Sequence, residues 1–220
     1  SDVPVGTSLS GGIDSGSIAA MVAGEKGQHF KSFSAVFPGF EKDEKSLIDL
    51  TSNYLQIENY QVSPNAGTLS DHFEKLLYHQ EQPVSSASAL VQYQVFALAK
   101  QHGIKVLLDG QGADELFGGY LYFHKAPNAK EFHEENVRKL GKLHMYDCLR
   151  ANKSLAAWGI EGRVPFLDKE FMDVAMRINP QDKMINGERM EKWVLRKAFE
   201  EMLPESVTWR QKEQFSDGVG

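Results

Sequence analysis

Near its start the chain carries a short loop, "SGGIDS", that could bind phosphate. Gly11 and Gly12 let backbone N–H groups turn toward an anion, while Ser10 and Ser15 add hydroxyl donors. Asp14 would repel a bare phosphate, so its presence indicates a Mg²⁺ ion shared with the ligand. The alternative is a plain strand-to-helix turn in which Asp14 and Ser15 cap the helix. This segment alone does not decide between the two.

A second loop with similar residues follows about a hundred positions later, in "LLDGQGADELFGGY". Here an apolar run ends in Asp109, and two further acids, Asp114 and Glu115, come soon after. Gly110 and Gly112 would let a flat ligand rest against the main chain. Ligands bind beyond the carboxyl ends of parallel strands, so both loops would face one crevice. Together they favour a nucleotide whose metal lies between two carboxylates.

The elements that would position these loops alternate between strand-like and helix-like segments. Strands are predicted at 4–9, 31–37, 58–63 and 104–110, and helices at 14–23, 43–55, 69–79 and 89–102. This alternation is typical of βαβ units, so we predict an α/β fold with a parallel sheet of about five strands covered by helices on both faces.

The character of the sequence changes at residue 129, after which charged amphipathic segments dominate. Helices are predicted at roughly 130–157, 168–177 and 189–203, and no segment there has a convincing strand pattern. We therefore divide the chain into a nucleotide-binding α/β portion, 1–128, and a helical portion, 129–220, that closes the site. The two portions would form one domain.

Composition limits the classes of partner and compartment. The formal net charge of −6 argues against a general nucleic-acid binder, although a locally positive pocket remains compatible with a phosphate ligand. The only cysteine is Cys148, so no intrachain disulfide can form. There is no secretory signal pattern and no apolar run of membrane-spanning length. These observations predict a cytoplasmic protein without membrane contact.

Four motifs in order, "SGGIDS", "DGQGADELFGGY", "RVPFLD" and "WRQKEQFSDGVG", resemble the synthetase domain of glutamine-hydrolysing asparagine synthetases. The first motif is the PP-loop signature of ATP pyrophosphatases. The resemblance implies an adenine nucleotide alpha-hydrolase-like fold and an AMP-forming carbon–nitrogen ligase that uses ATP and Mg²⁺. Aspartate would be adenylated to β-aspartyl-AMP and then aminated by ammonia, releasing AMP and pyrophosphate.

The resemblance also implies residue roles. Contacts to ATP would come from the first loop, the second loop and two strand ends: Leu9, Ser10, Gly11, Gly12, Asp14, Ser15, Val36, Asp109 and Gly110. Asp14 and Asp114 would bind Mg²⁺. Lys212 would steady charge on the phosphates, Asp147 and Arg150 would line the amino-acid side, and the catalytic set would be Lys212, Gln111, Asp147 and Arg150.

Two departures from the family pattern bear on activity. Many relatives have glutamate where this chain has Gln111, and a glutamine cannot act as a base at neutral pH. The family's glutaminase domain is expected to be missing from this chain, which would then use free ammonia. The face toward that domain would be apolar and could support a homodimer. The alternatives are a non-catalytic ATP-binding fragment and a related PP-loop amidotransferase such as a β-lactam synthetase.

Two charged segments have plain structural explanations as well as functional ones. Cys148 follows Asp147 in a charged helical segment, and we expect a packed cysteine there and not a nucleophile. The run "EKDEK" at 41–45 reads as the solvated start of a helix, and it could also border the site because it follows the second strand.

Overall fold

A parallel β-sheet forms the centre of the fold in the computed structural model, which describes residues 1–26, 30–84 and 86–211. Within these ranges the sheet has five strands in the order β3-β2-β1-β4-β5, and every neighbouring pair is parallel. The strands are β1 (Val5–Ser8), β2 (Lys31–Ala35), β3 (Glu58–Val62), β4 (Val106–Leu108) and β5 (Glu161–Arg163). The predicted fold class is confirmed for the described residues.

The strand order reverses between β1 and β4. From β1 the chain moves outward to β2 and β3, then returns to place β4 on the other side of β1, where Val5 lies opposite Val106. In open parallel sheets this reversal point opens a crevice beyond the carboxyl ends of the strands, where ligands bind. The loops after β1 and β4 are the two glycine-and-acid loops, so the topology brings them to one crevice.

Helices connect and cover the strands. Those between the strands are α1 (Ile13–Lys26), α2 (Lys45–Tyr54), α3 (Ala66–Gln80), α4 (Ser88–Gln101), α5 (Ala113–Phe117), α6 (Ala129–Lys142) and α7 (Asp147–Ala157). After β5 come α8 (Lys169–Arg177), α9 (Pro180–Lys183), α10 (Trp193–Phe199) and α11 (Glu205–Thr208). Among the described residues, we find no helix with both the length and the apolar character needed to cross a membrane.

Separate apolar clusters attach the helices to the sheet. Phe33, Phe96 and Leu107 belong to a buried cluster that joins the sheet to α4 and α7. A second cluster joins strand ends to α1 and α2, with Leu9 and Ile48 among its members. A third cluster packs α1 and α5 against α8 and α10, so the helices after β5 press directly on the helices that begin behind the two loops.

The expectation of no strand after residue 129 was wrong, because β5 pairs with β4 at the edge of the sheet. Its three residues are exposed and two are charged, so it carries no apolar pattern for a sequence reading to detect. A Cβ at Gly162 would overlap Leu155 of α7, which explains a glycine in this short strand. The predicted helix over 130–157 is divided into α6 and α7. The division of the chain at residue 129 stays a prediction.

Candidate functional site

The loop after β1 is held in shape by its own serines. The backbone N–H of Ser10 donates to the Ser15 hydroxyl at 2.9 Å, and the two serine hydroxyls lie 2.9 Å apart. The N–H of Gly12 donates to Ser10 Oγ at 3.3 Å. Asp14 lies inside the first turn of α1, and its carboxylate accepts from Lys192. This arrangement does not support the alternative in which Asp14 is only a helix cap.

The loop after β4 packs directly against the first loop. A Cβ added to Gly110 would lie 3.2 Å from Asp14 Cβ and 3.4 Å from the Ser15 nitrogen, so a larger residue would push the loops apart. Gly112 has a φ of +96°, and a Cβ there would overlap Leu167. Gly112 is therefore needed for backbone conformation and packing, whereas Gly110 lets the two loops approach each other.

A buried lysine links the acids of the two loops. The Lys192 ammonium donates to Asp14 Oδ2 at 2.5 Å and lies 2.6 Å from Asp114 Oδ1. The Lys192 side chain is 1% exposed. A Cβ at Gly119 would overlap both Asp114 and Lys192, so this glycine lets the backbone lie against the ion pair. Three distant parts of the chain thus meet at one charged group.

Electrostatics keep the Lys192 ammonium charged. Burial disfavours the charged form, but attraction by Asp114 and Asp14 outweighs that effect and raises the pKa of Lys192 above its ordinary value. Lys192 has a left-handed backbone with φ of +58° just before α10 begins. A residue other than glycine adopts this conformation at a cost of about 1 kcal/mol.

A second buried ion pair fixes the segment that carries Lys192. Arg196 Nη2 lies 2.5 Å from Glu191 Oε1, and both side chains are at most 2% exposed. Arg196 also donates to the carbonyl oxygens of Glu191, at 2.7 Å, and Thr208, at 2.5 Å. These bonds tie α10 to α11. They hold Lys192 in place between the two acids.

Glu44 and Arg210 close the same crevice from another side. Glu44 Oε1 accepts from Arg210 Nη1 at 2.5 Å, and its Oε2 accepts from the N–H of Gly11 at 3.3 Å. Glu44 comes from the charged run at 41–45, which does border the site. Glu44 occupies a loop N–H that a phosphate could otherwise bind.

These groups line a cavity of about 480 Å³. It reaches from the first loop and Lys192 to Gln111, Asp147 and Arg150. Val36 does not line it: this side chain is buried in the core, and its N–H donates to the Val62 carbonyl. An adjoining cavity of about 430 Å³ shares Glu115, Tyr120, Leu143, Asp147 and Arg150 with the first.

The end of the cavity toward α7 differs from the end near Lys192 because one of its charged side chains keeps a hydrogen-bond donor without a partner among the described residues. Arg150 Nη2 pairs with Asp147 Oδ1 at 2.7 Å, while Arg150 Nε is buried without a hydrogen-bond partner among the described residues. Tyr120 donates its hydroxyl to Glu115 Oε1 at 2.5 Å, and burial is the main cause that raises the pKa of each of these two groups. This end therefore keeps an unused hydrogen-bond donor.

Two titratable groups near this end have shifted pKa values. Burial raises the pKa of the Asp109 carboxyl to about 6, although the Gly110 N–H, Arg150 and Gln92 favour its charged form. Burial also raises the pKa of the Cys148 thiol to about 11, and nearby carboxylates add to the shift. A thiol with this pKa is almost wholly protonated at neutral pH, which agrees with a packed cysteine.

The predicted site residues meet, with two exceptions. The first loop, Asp109, Gly110, Gln111, Asp114, Asp147 and Arg150 line one cavity. Val36 does not, and Lys212 lies outside the described residues. The sequence analysis did not single out Lys192, which lies in the segment 189–203 predicted as a charged amphipathic helix. A usable signal was that neither acidic loop contains a basic residue to balance Asp14 and Asp114.

The family model described as asparagine synthase matches residues 1–131 and 124–220, which together span the chain. The chain belongs to the asparagine synthase family. It is 48% identical to asparagine synthetase B (glutamine-hydrolyzing) of Escherichia coli (strain K12), and the match covers 100% of this chain and 42% of that relative.

Plant relatives of the asparagine synthase family match at similar levels. The chain is 46% identical to asparagine synthetase (glutamine-hydrolyzing) of Asparagus officinalis, over 100% of this chain and 40% of the relative. The chain thus spans about two fifths of the length of these relatives. Among solved structures, U34-tRNA thiolase NcsA from Methanococcus maripaludis has a TM-score of 0.43 at 13% identity, covering 99% of this chain and 70% of that one.

Proposed function

We propose that this chain uses ATP to adenylate the side-chain carboxylate of aspartate and then transfers the aspartyl group to ammonia, forming asparagine, AMP and pyrophosphate. The observation that carries the proposal is the meeting of Asp14 and Asp114 at Lys192, at the reversal point of the sheet. This places two acid-bearing loops on one cavity in a chain of the asparagine synthase family.

The residues at this point fit a magnesium ion. Asp14 and Asp114 supply carboxylate oxygens, and Asp14 Oδ1 is buried without a hydrogen-bond partner among the described residues. No group of three or more metal-binding side chains occurs in the described ranges. Mg²⁺ is commonly held by one or two carboxylates together with substrate phosphates, so two acids suffice. When bound, Mg²⁺ would neutralise charge on the phosphates of ATP.

The first loop is suited to hold the phosphates leaving as pyrophosphate. Its backbone lies at the N-terminus of α1, where N–H groups and the helix dipole favour an anion. An aspartate carboxylate oxygen would attack the α-phosphorus while the bond to the pyrophosphate oxygen breaks. Fixed groups stabilise the charge of that transition state because they need no reorganisation during the reaction. Lys212 in this role stays a prediction.

Arg150 and Asp147 are suited to orient the amino acid. The unpartnered Arg150 Nε can donate to a substrate carboxylate, and Asp147 can accept from an α-amino group while it stays paired with Arg150. Both residues also line the adjoining 430 Å³ cavity, which Lys192 does not line. Aspartate bound there would lie between these residues and the nucleotide.

The proposal is tested by incubating the 220-residue chain with ATP, Mg²⁺, aspartate and ammonium chloride. AMP, pyrophosphate and asparagine should form in equal amounts, and omission of aspartate should stop AMP formation. ADP as the nucleotide product would contradict the adenylation route. Binding of Mg-ATP without turnover would indicate the non-catalytic alternative, and AMP formation with another carboxylate but not aspartate would indicate a related amidotransferase.

A further inference from the structure

Two of the described acids of the cavity, Asp109 and Glu115, are not engaged in an ion pair. In the described part of the chain, six carboxylates line the 480 Å³ cavity: Asp14, Glu44, Asp109, Asp114, Glu115 and Asp147. Four of them pair with cations, namely Asp14 and Asp114 with Lys192, Glu44 with Arg210, and Asp147 with Arg150. Glu115 accepts the hydroxyl of Tyr120. Asp109 alone among these six has neither an ion pair nor a phenol as its partner.

The carboxyl group of Asp109 is held in place but only lightly. Its Oδ1 accepts from the Gly110 N–H at 2.9 Å, and its Oδ2 lies 3.4 Å from Gln92 Nε2, which is long for a hydrogen bond. It stands at the end of β4 in the same loop as Gln111. Oδ2 is therefore available to a group in the cavity.

The second step of the proposed reaction releases a proton inside this cavity. When ammonia attacks the aspartyl carbonyl, the nitrogen becomes positively charged and must lose a proton before the amide can form. Gln111 cannot accept it, and the paired acids would have to give up a cation to do so. An unpaired carboxylate that lines the cavity is the group suited to the task.

We propose that Asp109 is the proton acceptor of the amination step, an inference that rests on the proposed function. The ammonia nitrogen forms a bond to the aspartyl carbonyl carbon, and one N–H proton passes to Asp109 Oδ2. The bond from that carbon to the AMP phosphate oxygen then breaks, and AMP leaves with the electron pair. Asp109 afterwards returns the proton to solvent, so the step consumes no other reactant.

The charges around Asp109 agree with this role. The group faces Gln92 of α4 and both Arg150 and Asp147 of α7. Burial places its pKa at about 6. Such a carboxylate is mostly ionised at neutral pH, yet it is a stronger base than an ordinary aspartate. A base whose pKa lies near the working pH transfers protons most effectively.

The test separates the two half-reactions in Asp109→Asn, which keeps the size and the hydrogen-bond acceptor of the side chain. Adenylation is followed by aspartate-dependent exchange of labelled pyrophosphate into ATP, and amination by asparagine formation at a fixed concentration of free ammonia. We expect asparagine formation to fall about a hundredfold or more, the usual loss for a missing general base, and pyrophosphate exchange to fall at least about tenfold less, since Asp109 is also an expected ATP contact.

Two further measurements distinguish catalysis from a structural role. With the unsubstituted chain, amination should fall as the pH drops below about 6, and Asp109→Asn should lack that decline. The double variant Asp109→Asn, Gln111→Glu returns a carboxylate to the loop. It should form asparagine about ten times faster than Asp109→Asn alone.

Every other outcome contradicts either the proton-acceptor role of Asp109 or the proposed function. Equal loss of exchange and amination in Asp109→Asn, with weaker ATP binding, would overturn the proton-acceptor role and assign Asp109 to nucleotide binding. Unchanged asparagine formation would overturn it as well. Failure of the unsubstituted chain to exchange pyrophosphate would instead overturn the proposed function, and this inference with it.

Discussion

The two ends of the cavity hold their charges in opposite ways. At the end near the first loop, Lys192 is 1% exposed and bridges Asp14 and Asp114, and the buried pair of Arg196 and Glu191 lies behind it. At the other end, the Arg150 side chain is 27% exposed and retains an unpartnered Nε.

This difference indicates a division of tasks. Charges that satisfy one another fix the two loops in position before any ligand arrives, so substitutions among them should disturb both stability and ATP binding. Charges that remain partly unused are available to substrate, so substitutions there should change catalysis more than stability. The following predictions test that contrast, beginning with the largest expected effect.

Replacing Lys192 with methionine should cause the largest loss of stability. The substitution leaves the half-buried carboxylates of Asp14 and Asp114 side by side without a cation, and breaking a fully buried pair costs about 3–5 kcal/mol, so we expect a loss of about 2–4 kcal/mol here. Urea denaturation measures the change. Lys45→Met is the matched control, because Lys45 pairs with Asp49 on an exposed helix surface and should cost about 1 kcal/mol or less. Similar losses in the two variants would contradict the fixed-loop account.

Replacing Asp14 with asparagine should weaken Mg-ATP binding while the chain stays folded. The variant removes one proposed metal ligand, and Asp114 still neutralises Lys192. We expect the dissociation constant measured by calorimetry to rise about tenfold to a hundredfold, equivalent to about 1–3 kcal/mol. The exposed Asp173→Asn provides the control. Unchanged affinity in the Asp14 variant would show that the metal assignment is wrong.

Some elements of the fold and of the site could be predicted from the sequence, and others could not. Four strands were predictable because short β-prone runs alternate with helix-like segments, and both loops were predictable because each combines glycines with acids after such a run. β5 was not, since an exposed edge strand of three residues needs no apolar pattern. Lys192 was not, because its partners lie 178 and 78 positions away and only the folded chain brings them together.

The stability of the folded chain should depend on pH through Asp109, which faces Arg150 in the cavity. Folding raises the pKa of this carboxyl to about 6 from an ordinary value of 3.8, so the folded chain binds a proton that the unfolded chain releases. The stability from this group is present below the ordinary pKa and is lost as the pH rises through about 6.

The difference in unfolding free energy between the unsubstituted chain and Asp109→Asn should therefore change with pH. Relative to the variant, the unsubstituted chain should lose about 1–2 kcal/mol between pH 4 and pH 7, after allowance for the partial exposure of Asp109. Urea denaturation at both pH values measures this. A constant difference between the two chains would mean that the pKa of Asp109 is not raised by folding.

Replacing Cys148 with serine should have the smallest effect on asparagine formation. Its thiol has a pKa of about 11, so a maleimide at pH 8 should label it about a hundredfold more slowly than free cysteine. Cys148→Ser should form asparagine from ammonium within about threefold of the original rate, because no step of the proposed reaction uses the thiol. Rapid labelling, or loss of asparagine formation in the variant, would assign the cysteine a role at this end of the cavity.

The most direct test of the central claim follows an oxygen atom through the reaction. Aspartate labelled with oxygen-18 in its side-chain carboxylate is supplied with ATP, Mg²⁺ and ammonium, and the products are separated by mass spectrometry. If the two loops support attack of that carboxylate on the α-phosphorus, each AMP molecule should carry one labelled oxygen and pyrophosphate should carry none. Unlabelled AMP, or label in pyrophosphate, would contradict the account.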